Sequence, residues 1–344
     1  MRDSRTKLSH ALPKAEGGIA RLAYAHAAKK GANTALLLRK AGLSRAQIDD
    51  PDAPLEVRSQ IKFLNLVAEA LSDDLLGFHL SQHFDPRTVG LLYYVLASSD
   101  TLGEAMQRAA RYSSIVNEGI KLTEREGKVI VLVLEYVGVS RHLDRHQIEF
   151  WMAGLMRICR QLTNRHVTAN SVTFIHRRTP TAELRSFYRC EIEFGADADE
   201  TRFSLSIRNM PLVGADPYLN KLLIKYCEEA LAHRAVNRNP FGTRVENAMA
   251  VLLPHGKAQM NEVAHKLGMS RRTLARRLAS EGLTFNEVMR TLRSDLANRH
   301  LADQELSISQ IAWLLGYSDS SAFSSAYRRR TGAAPGRVRR RLLG

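Results

Sequence analysis

Val263-Ala264-His265-Lys266-Leu267-Gly268-Met269-Ser270 recurs 48 residues later as Ile311-Ala312-Trp313-Leu314-Leu315-Gly316-Tyr317-Ser318. Each copy reads apolar-Ala-x-x-Leu-Gly-apolar-Ser, and each leads into a stretch of helical periodicity. Ala is small enough for two helices to cross closely. Gly takes the left-handed conformation that a tight turn requires. Ser suits the N-cap of the helix that follows. The pattern predicts two helix-turn-helix units, at about 260–280 and 308–330, and such units place their second helix in the DNA major groove.

Beyond the turn the offset becomes 49, so Leu274 matches Phe323 and Leu278 matches Tyr327. These i, i+4 pairs are the expected buried stripe of each second helix. The opposite face of the first carries Arg271, Arg272, Thr273, Arg276 and Arg277. A face this basic reaches guanine edges or phosphates; the alternative is an ordinary solvated charged face. The second helix presents Asp319, Ser320, Ser321, Ser324 and Ser325, with Arg328, Arg329 and Arg330 at its far end. Ser bonds to any base edge and specifies weakly, so this half is expected to position the protein more than it reads sequence. Between the copies, Thr284 to Ala302 predicts one helix with Leu292, Leu296 and Ala297 facing inward. Nineteen residues at ~1.5 Å rise span roughly 28 Å, close to the ~34 Å between successive major-groove faces. One chain would then place two unlike helices one turn apart, on an asymmetric site.

Charge agrees with this reading. The chain has 344 residues and a net charge of +15. From Gly242 onward there are 17 Lys+Arg against 8 Asp+Glu, and 15 of the 17 are Arg; the preceding 241 residues hold 33 against 27. Positive charge is therefore concentrated where phosphate contact is expected, and Arg is the side chain suited to bidentate contact. Cys159, Cys190 and Cys227 are too scattered for a metal site or a disulfide framework, which points to a reducing, cytoplasmic setting. The N-terminus lacks a signal-type apolar core, and the run from Val129 to Val139 is broken by Glu135 and too short to span a membrane.

The rest of the chain divides as follows. Residues 1–18 are expected to be a disordered tail, 19–233 an α+β domain, 234–242 a linker and 243–344 the DNA-binding domain. Helices are predicted at about 19–30, 33–41, 57–72, 74–84, 101–114 (with Thr101 and Glu104 as a capping box), 144–162, 181–190 and 218–233. Strands are predicted on either side of Glu126-Gly127-Lys128, at Val172–His176 and at Phe203–Ile207. The expected fold class is an α+β N-terminal domain plus an all-α C-terminal domain, its two helix-turn-helix units joined by a long helix.

Residues 255–342 resemble the AraC/XylS family of bacterial transcription regulators. The resemblance rests on the two Ala-x-x-x-Gly turns, Arg293 and Ala297 in the linking helix, and the closing Gly332-Ala333-Ala334-Pro335 with Val338 and Arg339. It implies that the residues facing the bases are Arg272, Ala275 and Arg276 in the first helix and Ser320, Ser321 and Ser325 in the second. The family usually has Arg where this chain has Ser325. Arg271, Thr273, Arg277, Ser324, Arg328 and Arg329 are then the expected phosphate and supporting contacts. Residues 19–220 resemble the arabinose-binding-like α+β domain of one branch of that family, not the sugar-binding β-barrel of the arabinose regulator. The matching stretches are Lys40-Ala41-Gly42-Leu43, Asp50-Pro51-Asp52-Ala53, Leu96 to Ala105 and Phe194-Gly195-Ala196. This resemblance implies a domain that senses a small molecule or dimerises, and it does not imply arabinose.

Other features carry less. Effector contacts are expected, if anywhere, at Tyr93, Tyr112 and Trp151, with Tyr94, Asn117 and Arg157 as further candidates; core packing is the competing reading. His142, His146 and Glu149 share a helix-start face, but a surface helix start explains them better than a metal. Leu36 to Gln47 lacks the Ala-x-x-x-Gly spacing of a third DNA-binding unit. Hydrolase, phosphate-loop and metalloprotease motifs are missing. The sequence thus points to a sequence-specific transcription regulator that is not an enzyme and needs no cofactor. Its expected partners are double-stranded DNA, RNA polymerase, a small-molecule effector and a second copy of itself, with no membrane. The alternatives are a DNA-repair enzyme or a non-specific architectural binder built on the same DNA-binding domain.

Overall fold

Glu126-Gly127-Lys128 turns the chain back on itself in the computed structural model, which describes residues 12–233, 241–303 and 306–343. The strands, in chain order, are β1 (Lys14–Ala15), β2 (Leu55–Glu56), β3 (Ile120–Glu126), β4 (Val129–Tyr136), β5 (Ser171–Phe174), β6 (Glu191–Phe194) and β7 (Asp199–Ser204). β1 and β2 form an antiparallel pair. The other five make one sheet in the order β3-β4-β7-β5-β6, antiparallel except for the parallel β5–β6 pair. β4 lies between β3 and β7 and is apolar, with Ile130 and Leu132 wholly buried.

Among the described residues these strands are accompanied by the helices α1 (Gly18–Lys29), α2 (Thr34–Ala41), α3 (Arg45–Asp49), α4 (Val57–Leu71), α5 (Leu76–His83), α6 (Leu91–Ala97), α7 (Leu102–Tyr112), α8 (His146–Thr163), α9 (Ala182–Tyr188) and α10 (Pro217–His233). α8 is the spine of the unit. Its Ile148, Phe150, Met152, Ala153 and Met156 are wholly buried in one continuous core, and α5 packs along it. Its first turn is fixed by Asp144, whose carboxylate accepts from the backbone N–H of Gln147 and Ile148 and from the Tyr136 hydroxyl. The N-terminal unit is therefore a mixed α/β structure.

The helices of the C-terminal unit among the described residues are α11 (Phe241–Leu252), α12 (Met260–Lys266), α13 (Arg271–Ser280), α14 (Phe285–Leu301), α15 (Ile308–Leu314), α16 (Ser320–Thr331) and α17 (Pro335–Leu343). This unit has two cores. Phe241, Val245, Met249, Val263, Leu274, Leu278 and Leu292 build the first. Ala297, Leu301, Ile311, Leu315, Phe323 and Tyr327 build the second. α14 runs through both, and its Leu296 packs against each.

Several expectations need correction. The tail expected over 1–18 is structured from Lys14, because β1 pairs with β2 and Gly18 opens α1; residues 1–11 lie outside the described residues. Most of the linker expected at 234–242 also lies outside them, and Phe241 and Gly242 are already helical. Residues 140–143 pack with the C-terminal unit although they fall inside the span given to the N-terminal one. The Ser140 hydroxyl donates to Glu246, and the Arg141 N–H donates to the Asn247 side chain. The strand expected at 203–207 stops at Ser204, whose hydroxyl accepts from the N–H of Ser206 and starts a 3-10 turn over Leu205–Ile207. The box at Thr101 is half-formed: Thr101 caps the N–H of Glu104, but the Glu104 carboxylate pairs with Arg108 instead.

Candidate nucleic-acid interface

The first helix-turn-helix is α12, its turn and α13. Val263 and Ala264 are buried, and Gly268 turns the chain at φ 65°. The Ser270 hydroxyl then accepts from the N–H of Thr273, capping α13. Leu274 and Leu278 fall on the core side, at 0% and 1% exposure. That orientation leaves Arg271, Arg272, Ala275, Arg276 and Arg277 exposed on the other side, with Thr273 half-buried at the edge. Among the described residues, Arg271, Arg272 and Arg276 form no hydrogen bond or ion pair. Their guanidinium groups are uncommitted and aligned along one helix.

Arg277 is placed differently. Its guanidinium lies over the Phe241 ring, 5.5 Å from the centroid. Nearby, Glu281 accepts from the backbone N–H groups of Phe241 and Gly242, closing the start of α11 onto the end of α13. Arg277 therefore already has a packing role alongside any phosphate contact.

The second unit repeats the frame with different fittings. Ile311 and Ala312 are buried, and Gly316 turns the chain at φ 68°. Here the sequence expectation needs correcting: the cap of α16 is Asp319, not Ser318. The Asp319 carboxylate accepts from the N–H of Ala322, and Ser318 donates to that carboxylate. These hydrogen bonds, the backbone one foremost, hold Asp319 below the usual carboxylate range. Phe323 and Tyr327 fill the core. Ser321, Ser325, Arg328 and Arg329 are exposed, and Ser320 and Ser324 are half-buried. Arg330 turns away to donate to the Arg290 carbonyl.

Arg293 on α14 supports the second turn from behind. Its Nε donates to the Leu315 carbonyl at 2.9 Å and an Nη to the Gly316 carbonyl at 3.1 Å. The same guanidinium lies 4.5 Å from the Tyr317 ring centroid. An Ala-x-x-x-Gly turn exposes carbonyls at its bend, and Arg293 satisfies two of them at once.

With this geometry in view, comparison with known proteins settles the family. Residues 31–212 match the family described as the arabinose-binding domain of AraC transcription regulators, N-terminal. Residues 263–341 match a helix-turn-helix domain family. The chain belongs to the AraC family of transcription regulators. It is 26% identical over 315 residues to the HTH-type transcriptional regulator VirS of Mycobacterium tuberculosis, covering 90% of this chain and 91% of that one. It is 27% identical over 325 residues to the ornithine utilization regulator of Pseudomonas aeruginosa, covering 91% and 94%. A crystal structure of the transcriptional regulator CdpR from Pseudomonas aeruginosa aligns over 80% of this chain and 91% of its own at 20% identity, with a TM-score of 0.40. The C-terminal unit is thus the DNA-binding part of an AraC-type regulator. The DNA-repair and architectural readings are not favoured. Among the described residues, no helix is long and apolar enough to cross a membrane.

The remaining candidates lie in the N-terminal unit. Tyr93, on α6, accepts a hydrogen bond from Gln161 on α8. Tyr112, at the end of α7, donates to Glu228, which also pairs with Arg111. Burial pushes the Tyr112 hydroxyl up to about 12. Trp151 packs edge-on against Phe150, and its indole Nε1 is buried without a hydrogen-bond partner. Trp151 and Gln161 are ten residues apart on α8, roughly 15 Å along the axis, so Tyr93 and Trp151 do not converge on one point. Of the further candidates, Arg157 donates to the carbonyls of Ser81 and Phe84, Asn117 is buried, and Tyr94 is half-exposed.

The surface helix start expected at His142, His146 and Glu149 is not found: all three are buried, His142 in the C-terminal unit and the other two on α8. Glu149 is wholly buried, 2.8 Å from both His176 Nε2 and an Arg178 Nη, and its burial pushes the carboxyl up to about 7. The three thiols are all held above their ordinary range by burial, Cys159 to about 12 and Cys227 to about 11.

Proposed function

We propose that α13 reads bases and α16 chiefly positions the protein on an asymmetric site. Arg272, Ala275 and Arg276 face base edges. Arg271, Thr273 and Arg277 bind the flanking phosphates. Ser320, Ser321 and Ser325 approach the next groove, with Ser324, Arg328 and Arg329 supporting at the backbone. The observation that carries this reading is the row of uncommitted guanidiniums on α13, opposite the fully buried Leu274 and Leu278. Arg is the side chain best matched to guanine O6/N7, whereas Ser discriminates poorly.

The test is a footprint on the gene's own upstream region, followed by fluorescence anisotropy with Arg276→Ala. Removing a base contact should weaken cognate binding by ~1–3 kcal/mol and random-sequence binding little. Equal losses on both would remove Arg276 from base readout. Arg329→Ala, a phosphate contact, should weaken both and flatten the salt dependence.

The N-terminal unit is proposed to sense a small molecule or to pair two copies, and the regulator to act on RNA polymerase. The unpartnered indole N–H of Trp151 supports a ligand contact there. A regulator without enzymatic activity is the better reading, because alkyl transfer needs an activated thiolate and these thiols are held protonated by burial.

A further inference from the structure

We propose that His142, Glu246 and Asp295 form a divalent-metal site in the C-terminal unit. The three come from separate segments: His142 from the 3-10 turn Arg141–Leu143, Glu246 from α11 and Asp295 from α14. Their ligand atoms all lie within 4.8 Å of one another.

The unusual member is His142. It is 7% exposed, and both ring nitrogens are buried without a hydrogen-bond partner. A buried imidazole normally engages at least one nitrogen. Nδ1 lies 3.7 Å from Glu246 Oε1 and Nε2 lies 3.9 Å from Asp295 Oδ2. Both gaps exceed hydrogen-bond length. Tetrahedral bonds of 2.0–2.2 Å place neighbouring ligand atoms about 3.4 Å apart, so a bound ion asks these groups to close by roughly 1 Å. Asp295 has room to make most of that movement, since its side chain is 41% exposed. One imidazole nitrogen and two carboxylates suit Zn²⁺, Mn²⁺, Co²⁺ or Ni²⁺, with water completing the shell. Two carboxylates with a neutral imidazole also balance a 2+ charge.

The surroundings hold these ligands in place. The Ser140 hydroxyl donates to Glu246 Oε2 at 2.7 Å, leaving Oε1 turned toward His142. The turn is anchored by the Arg141 N–H on the Asn247 side chain at 2.8 Å, and by Arg299 donating to the His142 carbonyl. An ion here would tie the turn to α11 and α14 together. Because α14 runs through both cores, occupancy would fix the relation of the two DNA-contacting helices.

The test is calorimetric titration of the chelator-stripped full-length protein with Zn²⁺ and with Mn²⁺, alongside the visible spectrum of the Co²⁺ form. One saturable site per chain is expected. His142→Ala and Asp295→Asn should abolish it, and Ser140→Ala should weaken it about 10-fold. Asp295 is half-exposed, so Asp295→Asn should keep the fold, which circular dichroism checks. Metal should raise the unfolding temperature of the parent and leave Asp295→Asn unmoved. Binding that survives both ligand variants, or no saturable binding with either ion, overturns the proposal and leaves His142 as an imidazole between two carboxylates. Neither readout depends on DNA binding.

Discussion

The two turn glycines share a sequence position and a left-handed φ, yet their surroundings differ. A Cβ built on Gly268 would meet nothing within 4 Å. One built on Gly316 would sit 2.8 Å from the Leu253 carbonyl oxygen and 3.3 Å from its Cδ2. Gly268→Ala should therefore carry only the left-handed penalty, about 1–2 kcal/mol. Gly316→Ala adds a clash with backbone that has to shift, of the kind that costs about 1–3 kcal/mol, for a total of about 2–5 kcal/mol. The chain has two tryptophans, Trp151 in the N-terminal unit and Trp313 in α15. Urea unfolding followed by far-UV circular dichroism reads both cores of the helical C-terminal unit on one signal. Gly316→Ala should lower the midpoint far more than Gly268→Ala. Equal shifts, or the reverse order, would refute the claim that Leu253 is what makes Gly316 necessary.

Other expectations follow from the same geometry. Ser270→Ala should destabilise the first core by about 1 kcal/mol, while Ser318→Ala should do much less because Asp319 is the cap; thermal melts of the two variants decide this. Arg293→Lys should cost about 1.5–3 kcal/mol in the second core, since an ammonium cannot serve both turn carbonyls and the Tyr317 ring together, and the Trp313 signal should show it. Glu149 is protonated in the fold up to about pH 7 but only to its ordinary 4.5 when unfolded. Folding therefore takes up a proton between those values, and Glu149's contribution, at most about 3 kcal/mol, is full below pH 4.5 and lost as pH rises through 7. Melts read by Trp151 in a Trp313→Phe background should fall across that window and be flatter in Glu149→Gln; parallel curves would remove Glu149 from the pH response.

How much of this was legible in the sequence depended on whether the signal was local. The helix-turn-helix units were legible because a turn glycine, a small crossing residue and an i, i+4 apolar pair lie within twenty residues. Leu274, Leu278, Phe323 and Tyr327 sit where that spacing puts them. The hairpin at 126–128 was legible for the same reason. α6 was missed because Leu91 to Ala97 is apolar nearly all round and offers no amphipathic period. β6 was missed although Glu191-Ile192-Glu193-Phe194 alternates cleanly; a four-residue strand is easily lost beside the helix before it. The cap of α16 was assigned one residue early because Ser and Asp both cap helices, and only the hydrogen bond to Ala322 distinguishes them. His142 could not have been matched to Glu246 and Asp295 from sequence, since it lies more than a hundred residues before either and meets them only through packing.

The same turn written twice does two structural jobs. In the first unit the glycine is open, the cap is a neutral hydroxyl, and Arg271, Arg272 and Arg276 on the surface of α13 have no hydrogen bond or ion pair among the described residues. In the second, Gly316 is closed in by Leu253, Arg293 holds two turn carbonyls from behind, the cap is a carboxylate, and Arg330 is drawn back to Arg290. Rigidity and bonding capacity are thus divided unequally between the halves. The more tightly braced half carries the serines, which discriminate least, and the half with free guanidiniums carries those able to discriminate most. On the proposed assignment of base contacts, a pseudo-repeat specialised in this way should favour one orientation on DNA over its reverse. Exchanging the exposed residues of α13 and α16 should therefore not simply invert the preferred site, because the bracing remains with the frame while the reading groups move.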